Sequence, residues 1–315
     1  MMTYIVIVNY CNWSLTCACL DSLAKNPALL ARVIVIDNGS PDESYSNLVS
    51  YAVQKRLDFE EVAQDAKKLI HQYAFVRSKI NLGYSKACNV AIEIALDDDT
   101  CDYIWLLNND TIVDNNALEE LTITAASRDT IGMVGSCIIY SNARDTLQAL
   151  AGGYFIPWLG YSKLIGQHQS RDSRIDVEKV EKRLDFILGA SWLVKSEVFR
   201  KYGLLDESFF LYFEELDFAL RAKGYTMAFA QKSIVYHHEG ATIDAMRELI
   251  PGTPYAKEYY FHRNRLRIVN RYFRWAIPTA YASIVFSLVK RLVKFEFASL
   301  RQIIMAVKDS CFNGC

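Results

Sequence analysis

The chain has 315 residues, and its 35 Lys and Arg residues nearly balance its 36 Asp and Glu residues, for a net charge of −1. Hydrophobic residues make up 51% of it, whereas Gly and Pro number only 14 and 6. This composition excludes a disordered chain, a collagen-like repeat and a small disulfide-stabilised protein. The balanced charge also disfavours a broad nucleic-acid-binding face, so we expect no nucleic acid partner.

Strand-like and helix-like segments alternate along the first two-thirds of the chain. Apolar or β-branched runs predict strands at Tyr4–Asn9, Arg32–Asp37, Tyr73–Val76 and Tyr103–Leu107. Helices are predicted at Trp13–Lys25, after Asp42, at Tyr84–Leu96 and at Asn116–Ser127, with a charged, helix-compatible insertion at Leu48–Gln72. Strands separated by helices predict an α/β fold in which a mostly parallel sheet is covered by helices on both faces.

Polar residues follow three of these predicted strands. They are Asn9, the segment Asp37-Asn38-Gly39-Ser40 and the segment Asn108-Asn109-Asp110-Thr111. Ligands of open α/β sheets bind beyond the carboxyl ends of the strands, so the three segments predict one crevice. Each segment alone also suits a turn or a helix cap, and only their joint placement favours a site. Neither a GxGxxG nor a GxxxxGK[ST] motif occurs, so a divalent metal is the simplest means of neutralising the phosphates of a nucleotide.

A series of short motifs then carries a resemblance to a known family. The motifs are Val6–Tyr10, Ile36–Ser40, Asn81–Tyr84 with Asn89, Leu106–Thr111, Gly189–Ser191, Leu205–Phe210, Glu214–Asp217 with Arg221, and Tyr236–His238. Their order resembles that of family 2 glycosyltransferases, and Tyr259-Tyr260 with Arg263-Asn264 resembles the bacterial rhamnosyltransferase-like branch. The resemblance implies a GT-A fold and an inverting, metal-dependent transfer of a sugar, rhamnose being one candidate. The donor would be a dTDP- or UDP-sugar, and the acceptor a hydroxyl of a cell-surface or lipid-linked glycan.

The resemblance also implies a set of residues that bind the nucleotide sugar. Asp37 would accept a hydrogen bond from the N3–H of a uracil or thymine base, with Asn9 and Tyr10 beside it. The remaining members of the set are Asn38, Gly83, Lys86, Asn108 and Asn109. Lys86 would reach a phosphate or remain solvated.

The metal site would comprise Asp110 and His237, holding Mg²⁺ or Mn²⁺ together with the substrate phosphates. Asn108 stands where the family has the first Asp of its Asp-x-Asp motif, so Asn108 is expected to contact ribose or a water. His238 is the alternative to His237.

The catalytic base is expected at Glu215, with Asp217 as its rival. Arg221 lies four residues after Asp217, a spacing that favours an ion pair and hence a structural Asp217. The acceptor side would comprise Gly189, Ala190, Ser191 and Trp192. Trp192 would either stack on a sugar or belong to the core.

The composition changes near residue 255, which divides the chain into a predicted catalytic domain at 1–250 and a helical extension at 251–315. Basic and aromatic residues interleave over 257–298, and the fourteen apolar residues Ala276–Val289 are too few for a membrane span of roughly 20. The extension is therefore expected to contact a membrane surface through 257–298, or else to pack against a second copy of the chain or against the catalytic domain. Unpatterned cysteines and the absence of a signal peptide predict a cytoplasmic enzyme, placed at the inner face of the membrane if the extension binds lipid.

Two alternative functions remain at this stage. A sugar nucleotidyltransferase would need a glycine-rich basic loop near the N-terminus, and the segment after Asn9 has none. A nucleotide-sugar- or glycan-binding relative without activity is conceivable because Asn108 and Glu215 depart from the family pattern.

Overall fold

The structure is a computed structural model that describes residues 1–26, 30–67, 69–240 and 256–312. The predicted boundary between residues 250 and 251 lies outside the described residues.

A ten-stranded sheet forms the centre of the molecule, in the order β3-β4-β2-β1-β5-β12-β7-β13-β6 with β8 paired to β7. Its strands are β1 Met2–Asn9, β2 Ala31–Asp37, β3 Phe59–Val62, β4 Tyr73–Arg77, β5 Cys101–Asn108, β6 Thr111–Val113, β7 Ile131–Tyr140, β8 Ala143–Leu150, β12 Ser191–Lys195 and β13 Thr226–His237. Strands β9 Gly152–Ile156, β10 Tyr161–Leu164 and β11 Phe186–Ile187 form a second, three-stranded sheet. Five of the nine pairings in the large sheet are parallel, which confirms the predicted α/β class.

Helices cover both faces of the large sheet. They are α1 Trp13–Leu23, α2 Ser44–Lys55, α3 Tyr84–Leu96, α4 Ala117–Ala126, α5 Val177–Glu181, α6 Ser196–Tyr202, α7 Glu214–Arg221, α8 Ala256–Tyr272, α9 Ile277–Val293 and α10 Phe297–Phe312, with a 3₁₀ turn at Arg274–Ala276. Helices α1, α2 and α4 share one apolar cluster, and α3, α6 and α7 contribute to the other. The central strands are buried on both sides because they are continuous apolar runs rather than alternating ones.

The predicted insertion at Leu48–Gln72 is only partly helical, which corrects the sequence-based expectation. Helix α2 ends at Lys55, and Phe59–Val62 forms the edge strand β3, paired in parallel with β4. Phe59 packs edge-to-face on Phe75, with ring centroids 5.7 Å apart. Charged residues on an edge strand discourage pairing with another chain, which explains why this strand resembles a solvated helix in sequence.

Helix α8 is packed against the body that carries the sheets. Ile268 and Val269 of α8 are fully buried in a cluster with Phe155, Phe209 and Phe213. Helix α9 packs on α8 through Ala280 and Ile284, which are 1% and 2% exposed. Residues 256–276 thus complete an apolar cluster of the sheet-bearing body.

One helical stretch of the described residues, Arg274–Val293, has the length and apolar composition of a membrane-crossing helix. It contains 20 residues because it adds Arg274 and Trp275 before the fourteen-residue stretch counted from the sequence and residues 290–293 after it. A single such stretch is weak evidence for a span, because a helix packed on a soluble protein passes the same test.

Six cysteines with described side chains are free and buried: Cys11, Cys17, Cys19, Cys88, Cys101 and Cys137. Burial raises the pKa of each of these thiols. No disulfide links these six cysteines.

Candidate active site

A cavity of about 290 Å³ opens at the carboxyl ends of β1, β2 and β5. Its walls come from these strand ends, from the 188–190 segment before β12, from the start of α7 and from the end of β13. The three polar segments that follow the predicted strands therefore do meet in one region, as parallel strand ends require.

The loop before α3 forms one wall of this cavity through interlocking amides. Asn38 donates to Asn81 Oδ1 (3.1 Å) and accepts from the backbone N–H of Leu82 (2.9 Å). Gly83 has φ +80°, and a Cβ there would lie 2.6 Å from the ring of Phe210, so only glycine fits this turn. Tyr10, Asn38, Asn81 and Gly83 all line the cavity.

A second wall brings together Asp110 and His237, one following β5 and the other ending β13. Asp110 Oδ1 and His237 Nε2 lie 3.2 Å apart, and both side chains are less than a tenth exposed. Asp110 Oδ1 is nevertheless buried without a hydrogen-bond partner among the described residues. Asn108 Nδ2 lies 3.4 Å from the same imidazole nitrogen.

Gln148 of β8 decides which nitrogen of His237 faces the carboxylate. Gln148 Oε1, an acceptor, is 2.8 Å from His237 Nδ1, so Nδ1 carries the proton and Nε2 presents its lone pair towards Asp110. A lone pair and an unpartnered carboxylate oxygen that face each other fit a bound cation, and an oxygen acceptor on the other ring nitrogen is typical of imidazoles that bind metals. His238 is exposed and only its backbone N–H contacts Asp110, so the alternative ligand is excluded.

No group of three or more His, Cys, Asp and Glu side chains capable of holding a metal occurs in the described part of the chain. The cavity itself supplies two candidate ligands, Asp110 and His237. Mg²⁺ is commonly held by one or two carboxylates together with substrate phosphates, so this donor set fits a metal that binds with a diphosphate.

A third wall carries two adjacent carboxylates at the start of α7. Tyr212 and Phe213, which precede them, have φ of 69° and 72°, a conformation that non-glycine residues rarely adopt. Such backbone strain persists only where the surrounding structure enforces it, and it concentrates at functional sites. The strained turn directs Glu214 and Glu215 into the cavity lining.

Both carboxyl groups are poor anions in this position. Burial, and then the charge of Glu215, raises the pKa of Glu214 well above its ordinary value. Burial also raises the pKa of Glu215, although hydrogen bonds from backbone groups, Gly189 among them, oppose the increase. Glu214 Oε2 has no hydrogen-bond partner among the described residues.

Helix α8 holds the segment that precedes these carboxylates. Asn264, fully buried, donates to the backbone oxygens of Leu211 (2.8 Å) and Tyr212 (3.0 Å). Arg263 donates to the backbone oxygen of Ser208 (2.9 Å), and Arg267 does the same. The residues that carried the resemblance in the C-terminal part thus bind the loop of the active site.

Residues 4–203 match the family model described as glycosyl transferase family 2, which covers more than half of the chain. The chain belongs to glycosyl transferase family 2. It is therefore a glycosyltransferase of the GT-A fold class. This family membership favours neither the sugar nucleotidyltransferase nor the inactive binding protein that the sequence left as alternatives.

Individual relatives are distant. The chain is 22% identical over 245 residues to the low-salt glycan biosynthesis hexosyltransferase Agl10 of Haloferax volcanii, covering 76% of this chain and 75% of that protein. Its fold is similar to that of the mannosyltransferase PcManGT from Pyrobaculum calidifontis, solved with GDP-Man and Mn²⁺ (TM-score 0.54, 13% identity, covering 99% and 87%). It is also similar to Staphylococcus aureus TarS 1–349, solved with UDP-GlcNAc (TM-score 0.51, 12% identity, covering 99% and 92%).

Two residues predicted to bind the donor lie beneath the cavity of this glycosyltransferase rather than in its lining. Asp37 is 1% exposed, and its carboxylate accepts from Asn9 Nδ2 (2.8 Å), Ser40 Oγ and the Ser40 N–H. Asn9 is fully buried beside it. Both residues hold the strand ends together, so the predicted direct contact of Asp37 with a base is not supported by this arrangement.

Asp217 is not available as the catalytic base, which corrects the second catalytic assignment. Its carboxylate is fully buried and pairs with Arg221 (2.9 Å) and Arg271 (2.7 Å). Tyr272 also donates to it (2.8 Å). The Asp217–Arg221 spacing predicts an ion pair and a structural role for Asp217, and these contacts confirm the ion pair.

Three further predicted residues lie outside the cavity lining. Trp192 is fully buried and packs edge-to-face on Phe218, so it cannot stack on an acceptor sugar. Ser191, also fully buried, accepts from Trp105 Nε1 (2.9 Å). Lys86 pairs with Glu207 (2.9 Å), and it is not among the residues that line the cavity.

Gly189, Ala190, Asn108 and Asn109 do line the cavity. Sequence reasoning missed Gln148, Asn81, Tyr212 and Lys257, all of which line it as well. Asn81 lay within a quoted motif, whereas an isolated Gln in a strand offers no local signal.

Proposed function

We propose that this glycosyltransferase moves a hexose from a nucleoside diphosphate sugar to an acceptor hydroxyl with inversion at the anomeric carbon. The observation that carries the proposal is the pair of adjacent carboxylates, Glu214 and Glu215, in the same cavity as the Asp110–His237 pair. The cavity thus combines a candidate base with a candidate site for the diphosphate.

Glu215 would act as the general base. In an inverting transfer, the acceptor oxygen forms a bond to the anomeric carbon while the bond from that carbon to the diphosphate oxygen breaks. The acceptor proton passes to the Glu215 carboxylate, and the electron pair of the broken bond leaves with the nucleoside diphosphate. Backbone hydrogen bonds, including the one from Gly189, favour the ionised form that this role needs.

Asp110 and His237 would hold Mg²⁺ or Mn²⁺, which when bound would offset the negative charge that develops on the leaving diphosphate. Gln148 keeps His237 in the tautomer that can serve as a ligand. Asn108 lies beside the same imidazole nitrogen, where it would contact the ribose or a water.

The donor nucleotide would lie along the wall formed by Tyr10, Asn38 and Gly83. The resemblance of the motif series supports a uridine or deoxythymidine diphosphate sugar as the donor, and the resemblance of residues 259–264 to rhamnosyltransferases supports rhamnose as the sugar. The acceptor would lie against Gly189 and Ala190 and would be a cell-surface or lipid-linked glycan. Such an acceptor would place the enzyme in the cytoplasm, at the inner face of the membrane.

Substitution of the two key carboxylates tests the reaction. We expect Glu215→Gln to lower kcat by about a hundredfold to ten-thousandfold, because the acceptor proton then has no base to receive it. Asp110→Ala should abolish transfer as well, because the diphosphate loses the residue that would hold its metal. Transfer would be measured by product analysis with a panel of nucleotide sugars, with Mn²⁺ or Mg²⁺ present, and folding by circular dichroism.

Matched controls lie nearby in the chain. Glu207→Gln and Asp114→Ala alter exposed or half-exposed carboxylates outside the cavity lining and should remain active. Full activity in both Glu215→Gln and Asp110→Ala would contradict the proposal. Donor binding without turnover by the unaltered protein would instead identify a binding protein.

A further inference from the structure

Helix α9 presents an unpartnered apolar face to solvent. The residues Val285, Phe286, Val289, Leu292 and Val293, here called the apolar stripe, are 51–72% exposed. They recur every three or four residues and therefore lie along one side of the helix. Ala280 and Ile284, on the opposite side, are buried against the protein.

Two exposed tryptophans lie where the sheet-bearing body meets the start of α9. Trp158, between β9 and β10, packs edge-to-face on Trp275 with ring centroids 4.3 Å apart, and both remain more than half exposed. Ser283 of α9 donates to the backbone oxygen of neighbouring Leu159 (2.8 Å), which fixes the loop to the helix. Exposed tryptophans combine an apolar ring with a polar N–H and are enriched where proteins meet the lipid headgroups.

The charge around the stripe is strongly positive. Residues 274–312 contain six Lys and Arg residues and two acids, Glu296 and Asp309. Glu296 pairs with Arg291 (2.8 Å), and Glu258 binds the same guanidinium (2.7 Å). The exposed side chains of Lys290, Lys294, Arg301 and Lys308 have no ion pair among the described residues.

We propose that the apolar stripe and the Trp158–Trp275 pair bind the surface of an anionic lipid bilayer, with α9 lying in the plane of the interface. An apolar face bordered by Lys and Arg is the pattern of interfacial helices, and anionic lipids supply the missing negative charge. A two-fold dimer would instead place the same cationic patch against itself, which is unfavourable. A spanning orientation would require Ala280 and Ile284 to leave the buried positions that they occupy.

One ion pair connects the helix that carries the stripe to the cavity wall. Arg291, between Val289 and Leu292, is bonded to Glu258, and the neighbouring Lys257 lines the cavity. A lipid-linked acceptor in the same bilayer would therefore approach from this side. This placement rests on the proposed function, whereas the binding of lipid does not, because it needs neither donor nor acceptor.

Vesicle co-sedimentation of the full-length protein tests the proposal. We expect binding to vesicles of phosphatidylcholine and phosphatidylglycerol, weakened by salt, and much weaker binding to phosphatidylcholine alone. The double variant Phe286→Glu/Val289→Glu should bind at least about tenfold more weakly, because charged residues would have to enter the interface. The affinity of Lys290→Gln/Lys294→Gln for anionic vesicles should be about tenfold lower, because two positive charges are missing.

Two control variants have matched chemistry elsewhere on the surface. Ile123→Glu replaces an apolar side chain on α4 that is 55% exposed, and Lys223→Gln removes an exposed charge after α7. Both should bind like the unaltered protein. The stripe variants should retain transfer to a water-soluble acceptor, which separates loss of lipid binding from failure of the proposed reaction.

Three results would overturn the proposal. The first is equal binding of the stripe variants and the unaltered protein to anionic vesicles. The second is light scattering that shows a dimer which Phe286→Glu/Val289→Glu converts to a monomer, since the face would then be a protein interface. The third is retention in cell membranes after carbonate extraction, which would identify a spanning helix.

Discussion

Glu214 and Glu215 are neighbours in sequence but differ in their surroundings. Glu214 is 4% exposed and its Oε2 atom has no partner among the described residues, whereas Glu215 is partly exposed and bonded by backbone groups. The charge of Glu215 adds to burial in raising the pKa of Glu214. Glu214 is therefore the carboxyl that retains its proton, which leaves Glu215 as the base.

This difference predicts a pH-dependent stability. A carboxyl group whose pKa is raised by folding binds its proton more tightly in the folded state, so stability is lost as pH rises above the unfolded pKa of about 4.3 and through the folded pKa. Gln cannot ionise, so Glu214→Gln should unfold at a higher temperature than the unaltered protein at neutral pH. The gain should shrink as pH falls towards 5, and each unit of pKa shift corresponds to about 1.4 kcal/mol.

Thermal unfolding followed from about pH 5 to pH 8 would measure this effect. Glu197→Gln, at an exposed position of α6, serves as the control and should show no such gain. A Glu214→Gln protein that is less stable than the unaltered one at every pH would mean that Glu214 is ionised and paired in the folded state.

At the residue scale, the sequence correctly places in the cavity several side chains that lie within the ordered motifs. It does not reveal the burial of side chains whose partners are distant in the chain. Asp110, His237 and Glu215 all lie in the predicted cavity. The sequence pattern reveals only one partner of Asp217, its helical neighbour Arg221. Its other partner, Arg271, lies 54 residues away in the chain. Burial of Trp192 likewise depends on packing that no local pattern encodes.

At the scale of elements, helix α8 determines the conformation of the loop before α7. The amide of Asn264 holds the backbone oxygens of Leu211 and Tyr212, next to the two residues with positive φ. This strained turn would relax without that support, because its backbone conformation is unfavourable for Tyr and Phe.

We therefore expect Asn264→Ala to lower kcat by about tenfold to a hundredfold while leaving KM for the donor unchanged, because Glu215 would be misplaced and the donor wall would not. Steady-state kinetics below the unfolding temperature would separate the two parameters. Asn270→Ala, on the same helix, is the matched control and should behave like the unaltered enzyme. A change confined to donor KM, or a loss of kcat equal in both variants, would contradict this role.

The elements themselves differ in how well their sequences define them. Helix α3 has the predicted bounds Tyr84–Leu96, because its apolar periodicity begins directly after Gly83. The short strands β3 and β6 were missed, since four and three residues are too few to show a period. Their conformation comes from pairing with β4 and β13, partners that a local pattern cannot identify.

At the scale of the whole molecule, the boundary between 1–250 and 251–315 stays a prediction, and the contacts of α8 make its test informative. A chain that ends at residue 250 would leave Phe155, Phe209 and Phe213 without Ile268 and Val269. Loss of one large buried apolar side chain typically costs about 2–5 kcal/mol, so loss of several should unfold the domain.

We expect the chain ending at residue 250 to be insoluble, or to unfold well below the full-length protein, and to show no transfer. Differential scanning fluorimetry and the transfer assay would measure this. A shorter truncation that removes only residues 313–315 provides the control and should behave like the full chain. A chain of 1–250 that folds and binds the donor normally would establish an independent domain.

Helix α8 contains neither Gly nor Pro between residues 256 and 272, so it has no built-in hinge. One side of it is bonded to the loop that delivers Glu215, and the other carries α9. Helix α8 therefore connects the outer helix α9 with the loop that positions the Glu215 carboxylate. A displacement of α9 relative to the sheet-bearing body would therefore also displace the loop that carries Glu215, because α8 has contacts with both.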